Sequence, residues 1–316
     1  MDLPHDSLTL PPRMSITLGS WSRADLDAAH AIVAHDSLVS EFDRVADVRG
    51  LESMLMDPHV PRESLMMARL DGVPAGLSYA FLVKDTEVPW AMLRIAVPAP
   101  FRRRGVGTRL LEALIERMRA VEPRIGEWCL GAYEPCFEAQ AFAFHHGFQR
   151  ARTFWWMQRA DASLAEPVWP DGFTLRTYAE SASGLEDWTL VYNRSFMRHY
   201  HYVPTNIDIA RTFVTMPVFD PAGLLLAYRD GRPLGFCRNE VVPGRGEIAL
   251  VGVDPDARRI GLGRALVRWG ARWLKSKGVE RAALMVDGEN ESALTLYREE
   301  GFEIARTRAV WSRFTS

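Results

Sequence analysis

The feature that most constrains this chain is a device that occurs twice. Arg102-Arg103-Arg104-Gly105-Val106-Gly107 returns 156 residues later as Arg258-Arg259-Ile260-Gly261-Leu262-Gly263. Other landmarks recur at nearly the same shift: Gly147-Phe148 with Gly301-Phe302, and Asp71-Gly72 with Asp230-Gly231. The openings Ser15-Ile16-Thr17-Leu18 and Gly172-Phe173-Thr174-Leu175 also match. Stacked repeats have periods of roughly 20–50 residues, so this spacing means two copies of one domain. We assign residues 13–160 to copy one and residues 171–316 to copy two. The linker is residues 161–171, which carry Pro167 and Pro170 and no clear periodicity.

Each copy reads alike. A first strand (residues 16–18 or 173–176) leads into helical stretches (residues 23–41 or 185–196). A hairpin follows (residues 64–83 or 223–242), with Asp-Gly at its turn. Then come a core strand, the basic glycine loop, a long helix, a strand, a short helix and a final strand (residues 153–158 or 306–312). Strands alternating with helices, plus hairpins, predict an α/β fold in which helices flank a mixed (α+β) sheet. In residues 108–118, Leu110, Leu111, Leu114, Ile115 and Met118 recur at helical spacing as a core stripe.

The loop itself points to chemistry. Ile248 to Val253 form an almost continuous apolar run, as expected for a strand buried on both faces. Asp254-Pro255-Asp256 ends it. Gly261 and Gly263 let the backbone turn tightly and let a ligand approach it closely. Amides freed at the start of the following helix, reinforced by Arg258 and Arg259, make an anion site suited to phosphate or pyrophosphate. An isolated loop of this kind also reads as a plain strand-to-helix turn with a solvated basic edge. A dinucleotide site would need Gly-x-Gly-x-x-Gly, which this loop lacks.

Two patterns in order decide for the ligand. Val253-x-Pro255-x-x-Arg258-x-x-Gly261-x-Gly263 is followed by Asn290-x-x-Ala293-x-x-Leu296-Tyr297-x-x-x-Gly301-Phe302. Together they resemble the acetyl-CoA-binding core of the GNAT superfamily of N-acetyltransferases, and the likeness spans nearly the whole chain. The resemblance implies acetyl-CoA as co-substrate and direct attack of an amine on its thioester. It implies that Val251, Gly252 and Val253 hold the pantetheine arm through the main chain, with Asn290 as a side-chain partner. The pyrophosphate would lie on Arg258, Arg259, Ile260, Gly261, Leu262, Gly263 and Arg264. Tyr297 matches the acid that protonates the leaving sulfur. Glu247, which opens the core strand, is the candidate base, with Glu240 and Asp287 as further carboxylates.

Copy one keeps the loop, Arg102, Arg103, Arg104, Gly105, Val106 and Gly107, as a CoA-binding candidate. At the repeat shift, however, Ala143 stands for Tyr297, Cys136 for Asn290 and Ala91 for Glu247. Copy two is therefore expected to be catalytic and copy one degenerate, with His145 and His146 as the groups that a shifted site would use. The segment Phe196-Met197-Arg198-His199-Tyr200-His201-Tyr202 reads either as acceptor recognition or as packing between copies; Arg238 joins Glu240 as a possible acceptor contact. Among tandem members the pattern resembles the mycothiol synthases, which implies the cysteinyl amine of a sugar-linked thiol precursor as acceptor. Acetylation of an aminoglycoside or polyamine, or a non-catalytic acyl-CoA-sensing module, remain the rivals.

Composition bounds the rest. A net charge of −2 gives no reason to expect nucleic acid as partner. Cys129, Cys136 and Cys237 are odd in number and lack C-x-x-C spacing, so neither a disulfide framework nor a metal site is expected. Residues 1–12 lack the basic and apolar regions of a signal peptide. No run approaches the roughly 18 apolar residues of a membrane span. The expectation is a cytoplasmic enzyme, monomeric or weakly dimeric, acting on a small-molecule amine without membrane involvement.

Overall fold

The computed structural model describes residues 15–34, 48–216, 218–242 and 245–315. Residues 1–12 and the end of the expected helical stretch, residues 35–41, lie outside them. Copy one runs β1 (Ile16–Ser20), α1 (Leu26–Ala34), α2 (Val48–Met56), β2 (Met66–Leu70), β3 (Val73–Val83), β4 (Trp90–Ala96), α3 (Val106–Val121), β5 (Glu127–Glu134), α4 (Phe137–His145) and β6 (Gln149–Arg159). Copy two repeats the order as β7 (Thr174–Thr177), α5 (Gly184–Phe196), α6 (Ile207–Val214), β8 (Leu224–Arg229), β9 (Arg232–Val242), β10 (Arg245–Val253), α7 (Leu262–Ser276), β11 (Ala282–Asp287), α8 (Glu291–Glu299) and β12 (Glu303–Phe314). Helices α2 and α6 lie outside the helical stretches marked in the sequence, although Asn206 caps α6 by accepting from the Ile209 amide.

Local chemistry explains the hairpins. Asp71 and Gly72 have φ of 51° and 83°, and Asp230 and Gly231 have 52° and 73°. Both turns therefore place two successive residues in the left-handed region, which Asp-Gly tolerates and which matches the twist of the flanking strands. The stripe on α3 is buried as expected, with Leu110, Leu111, Leu114, Ile115 and Met118 packed on the sheet.

The sheet is not two separate sheets. Among the described residues its order is β1-β2-β3-β4-β5-β12-β6-β11-β10-β9-β8-β7. The copies have exchanged their last strands: β12 lies antiparallel between β5 and β6, and β6 lies antiparallel between β12 and β11. Each copy thus completes the other, and no strand edge is left open at the seam. The segment after β6 is docked, since the Ala162 amide donates to Glu280 O at 2.6 Å and Ala162 and Leu164 are buried in the copy-two core. One face of the sheet packs on α3 and α7, and the other packs on α1 and α2 or α5 and α6.

Candidate active site

The core strand parts from its parallel neighbour earlier in copy two than in copy one. Strand β10 pairs in parallel with β11 at Gly246–Ala282 and Glu247–Ala283 and then diverges. In copy one the equivalent β4 stays paired with β5 through four positions, from Trp90–Glu127 to Leu93–Leu130. Beyond Glu247 the main-chain groups on the β11 side of β10, including those of Val251, Gly252 and Val253, have no ladder partner there. This corrects the expectation of a strand buried on both faces: Ala249, Leu250, Val251 and Val253 are only half-buried.

A second difference sits next to the first. The β9–β10 register slips between Ile248 and Leu250, so Ala249 is an extra residue, whereas β3 and β4 pair without interruption. A one-residue bulge exchanges the faces of every side chain before it. Ala91 therefore packs with α3 in the copy-one core. Glu247 turns to the opposite face, toward α5, beside its cross-strand partner Glu240. It is 3% exposed. Glu240 is committed to Arg238 at 2.9 Å, and the Arg238 guanidinium lies 5.8 Å over the Trp188 ring of α5. Gly252 is on this face as well: a Cβ there would stand 2.3 Å from the Phe236 ring, so packing alone requires the glycine.

The glycine loops are the same object built twice. Arg102 and Arg258 each donate from Nε to the carbonyl five residues back, Val97 O at 2.9 Å and Val253 O at 3.2 Å. Arg103 and Arg259 adopt φ of 62° and 66°, and Gly105 and Gly261 follow at 83° and 92° as helix N-caps. Val106 and Leu262 then begin the helices, each buried. Arg258 is more constrained than anticipated, because Nη2 also donates to Ser195 O at 3.0 Å. Arg259 and Ile260 are exposed, while Arg264 is drawn aside by Glu299 and Glu300. Gly263 has open space: an added Cβ would come only within 3.7 Å of Val253 and 3.8 Å of Leu296. At Gly107 the ring of Phe142 is nearer, at 3.3 Å.

Asp254 locks this loop to the site. It caps the following turn by accepting from the Asp256 amide at 2.9 Å, and it pairs through both oxygens with Arg194 of α5. The Arg194 hydrogen bond holds its carboxyl below the usual aspartate range. A depressed folded pKa gives stability that is complete above the ordinary aspartate pKa and fades as pH falls through the folded value. Asp254→Asn is expected to cost about 1–3 kcal/mol. The check is urea unfolding at neutral pH, where unchanged stability would show that Arg194 finds another partner.

Tyr297 is half-buried on α8 with its ring edge-on to Phe302 at 6.2 Å. Burial, with the Cys237 thiol nearby, raises its pKa, so the hydroxyl stays protonated at neutral pH. Asn290 caps α8, its Oδ1 accepting from the Ala293 amide at 3.2 Å. Its role in the fold is thus a cap. Cys136, its counterpart, makes no side-chain cap. In copy one, His145 is exposed and His146 is hydrogen-bonded with Thr108 Oγ1 at 3.2 Å.

Some groups near the parted strands come from unexpected places. Arg152 belongs to the exchanged strand β6 of copy one, yet it holds Asp287 at the end of β11 through bonds of 2.9 and 2.8 Å. His199 is half-buried; burial lowers its pKa, and Asp287, Arg258 and Arg152 are the charges that act on it. Sequence reading placed Asp287 and His199 among its further candidates but could not find Arg152, which enters only through strand exchange.

Comparison with known proteins identifies the family. The profile of the acetyltransferase (GNAT) family matches residues 33–150 and again residues 185–302. A mycothiol acetyltransferase of Thermomonospora curvata is 37% identical over 254 residues, covering 79% of this chain and 82% of that protein. One of Saccharopolyspora erythraea is 33% identical over 284 residues, covering 85% and 88%. A solved GCN5-related N-acetyltransferase from Sphaerobacter thermophilus shares the fold, with a TM-score of 0.73, 22% identity and 97% of each chain covered. The chain therefore belongs to the GNAT family of acetyltransferases, carries the family's domain twice, and is an N-acetyltransferase.

Proposed function

We propose that acetyl transfer takes place in copy two, by direct attack of a small-molecule primary amine on the thioester of acetyl-CoA. The observation that carries this reading is the parting of β10 from β11 beside a bulge that turns Glu247 toward α5. In copy one β4 stays paired with β5 for four positions rather than two, parting after Leu93, and β3 and β4 pair without a bulge. Direct transfer requires that the amine lose a proton, the thioester oxygen be polarised and the thiolate be protonated. Glu247 takes the first task, main-chain groups near Val251, Gly252 and Val253 the second, and Tyr297 the third.

The amides from Arg259 to Arg264, at the start of α7, suit the pyrophosphate, with Arg258 and Arg259 adding positive charge. Open space at Gly263 fits close approach of a ligand to the main chain. Gly263→Val keeps the protein's own contacts but fills that space. It should weaken acetyl-CoA binding at least about tenfold, or about 1.4 kcal/mol. Unchanged affinity in calorimetry on a folded variant would remove the loop from the donor site. Copy one has the matching loop, and in this reading it holds CoA without turnover.

Residues 13–160 and 171–316 are the two units, one degenerate and one catalytic. For the acceptor, the names of the relatives favour the cysteinyl amine of a sugar-linked thiol precursor. No helix among the described residues is long and apolar enough to cross a membrane, and Cys129, Cys136 and Cys237 are free. We place the enzyme in the cytoplasm as a monomer or weak dimer. The test is CoA release against cysteinyl glycosides, aminoglycosides, polyamines and peptide N-termini. Turnover confined to one class names the acceptor. No release with any amine, while acetyl-CoA binds, favours the sensing module.

A further inference from the structure

The segment that follows α5 crosses from copy two into copy one. His201 adopts φ of 51°, a left-handed conformation that costs energy for a residue with a Cβ. Its ring is stacked between Trp90 of β4, at 4.0 Å and 11°, and Tyr200, at 3.8 Å and 27°. Nε2 of His201 lies 2.9 Å from Glu127 Oε2. The other carboxylate oxygen of Glu127 accepts from Ser312 Oγ at 2.6 Å and, over 3.4 Å, from Tyr200 OH and Cys129 Sγ. Burial would raise the Glu127 pKa, but the bonds from His201 and Ser312 more than offset it and keep the carboxylate charged.

Glu127, Cys129 and His201 bring metal-ligand types within 4.8 Å of one another. Their hydrogen bonds to the one carboxylate already account for that grouping. What the cluster does is hold a loop. Arg152 lies 5.0 Å over the Tyr200 ring, and the Tyr202 amide donates to His199 O at 3.1 Å. His199, next in the chain to the clasped pair, packs its ring edge-on against Phe196 at 4.8 Å, and Phe196 lies 6.1 Å from the Phe236 ring that abuts Gly252 of the parted strand β10. The same insertion packs on the start of β4, at Trp90, and on the start of β5, at Glu127.

We propose that Glu127 of copy one is a positioning residue for the reaction in copy two: by clasping His201 and Tyr200 it presents His199 to the acceptor amine at the mouth of the β10–β11 cleft. This rests on copy two being the catalytic unit. It gives the degenerate copy a task in turnover beyond holding CoA.

The experiment uses the full chain with Glu127→Ala, His199→Gln and the double variant. His201→Phe, which keeps the stack on Trp90 and loses the bond, stands in if Glu127→Ala does not fold. Side-chain NMR follows the His199 imidazole, assigned by its loss in His199→Gln. In the wild type it should titrate below the ordinary value, and breaking the clasp should move it back toward about 6.5. With an amine that turns over, breaking the clasp should lower kcat/KM for the acceptor on the order of 10- to 100-fold. The KM for acetyl-CoA should not change. In the His199→Gln background the same change should add little, because the group being positioned is already gone. An unmoved His199 titration, or losses that simply multiply, would overturn the proposal. The NMR measurement needs no acceptor, so absence of acetyl transfer with every amine counts against the catalytic reading and is distinguishable from failure of the clasp.

Discussion

Tyr297→Phe should lower kcat and kcat/KM together, by on the order of 10²-fold or about 3 kcal/mol. The change removes one oxygen and keeps the ring that packs edge-on against Phe302. Among the described residues that hydroxyl has no hydrogen-bond partner, so its loss strands no buried donor or acceptor and stability should hold. Acetyl-CoA affinity should also hold, because an acid that meets the sulfur only as the bond breaks contributes to the transition state alone. The sign of the pKa shift adds a test. Burial raises the tyrosine pKa, so the acid form persists through neutral and mildly alkaline pH. The wild type should show no alkaline loss of rate from this group in the ordinary range. Wild-type turnover by the variant would exclude Tyr297 as the acid.

Glu247→Gln should be at least as damaging near neutral pH, on the order of 10²- to 10³-fold in kcat, and should respond to pH in the opposite sense. An acceptor ammonium must lose its proton before it attacks. Without a base the protein depends on the fraction already deprotonated in solution, which grows with pH. The deficit should therefore shrink as pH rises. Its place on the parted strand β10 supports giving this role to Glu247 rather than Glu240, which lies one strand away on β9 and pairs with Arg238 at 2.9 Å. Glu240→Gln should accordingly lack the alkaline rescue. The measurement is a pH–rate profile for both variants with one acceptor. A deficit independent of pH in Glu247→Gln would turn the glutamate from base into substrate binder.

The sequence by itself determined everything that is written within a turn or a few helical turns. The two Asp-Gly hairpins, the paired glycine loops with matching left-handed residues, and the α3 stripe from Leu110 to Met118 all formed where residue chemistry put them. Those features depend on φ preferences and on a 3.6-residue period, and both are local. The repeat and its family resemblance are of the same kind, since they need only the order of residues. Tertiary structure decided what depends on a distant partner. A strand carries no label saying which copy it will join, so β6 and β12 read as the ends of their own copies and instead pair across the seam. Arg152 and Glu127 of copy one thereby came to hold Asp287 and His201 of copy two, pairings that no alignment of the two copies would reveal. The side chain of Glu247 is the sharpest case. Counting residues sets it opposite Ala91, but the extra residue at Ala249 turns it to the other face of the sheet. Side chains alternate with a period of two, so one unpaired residue reverses the direction of all that precede it, and whether a residue goes unpaired is settled by the neighbouring strand.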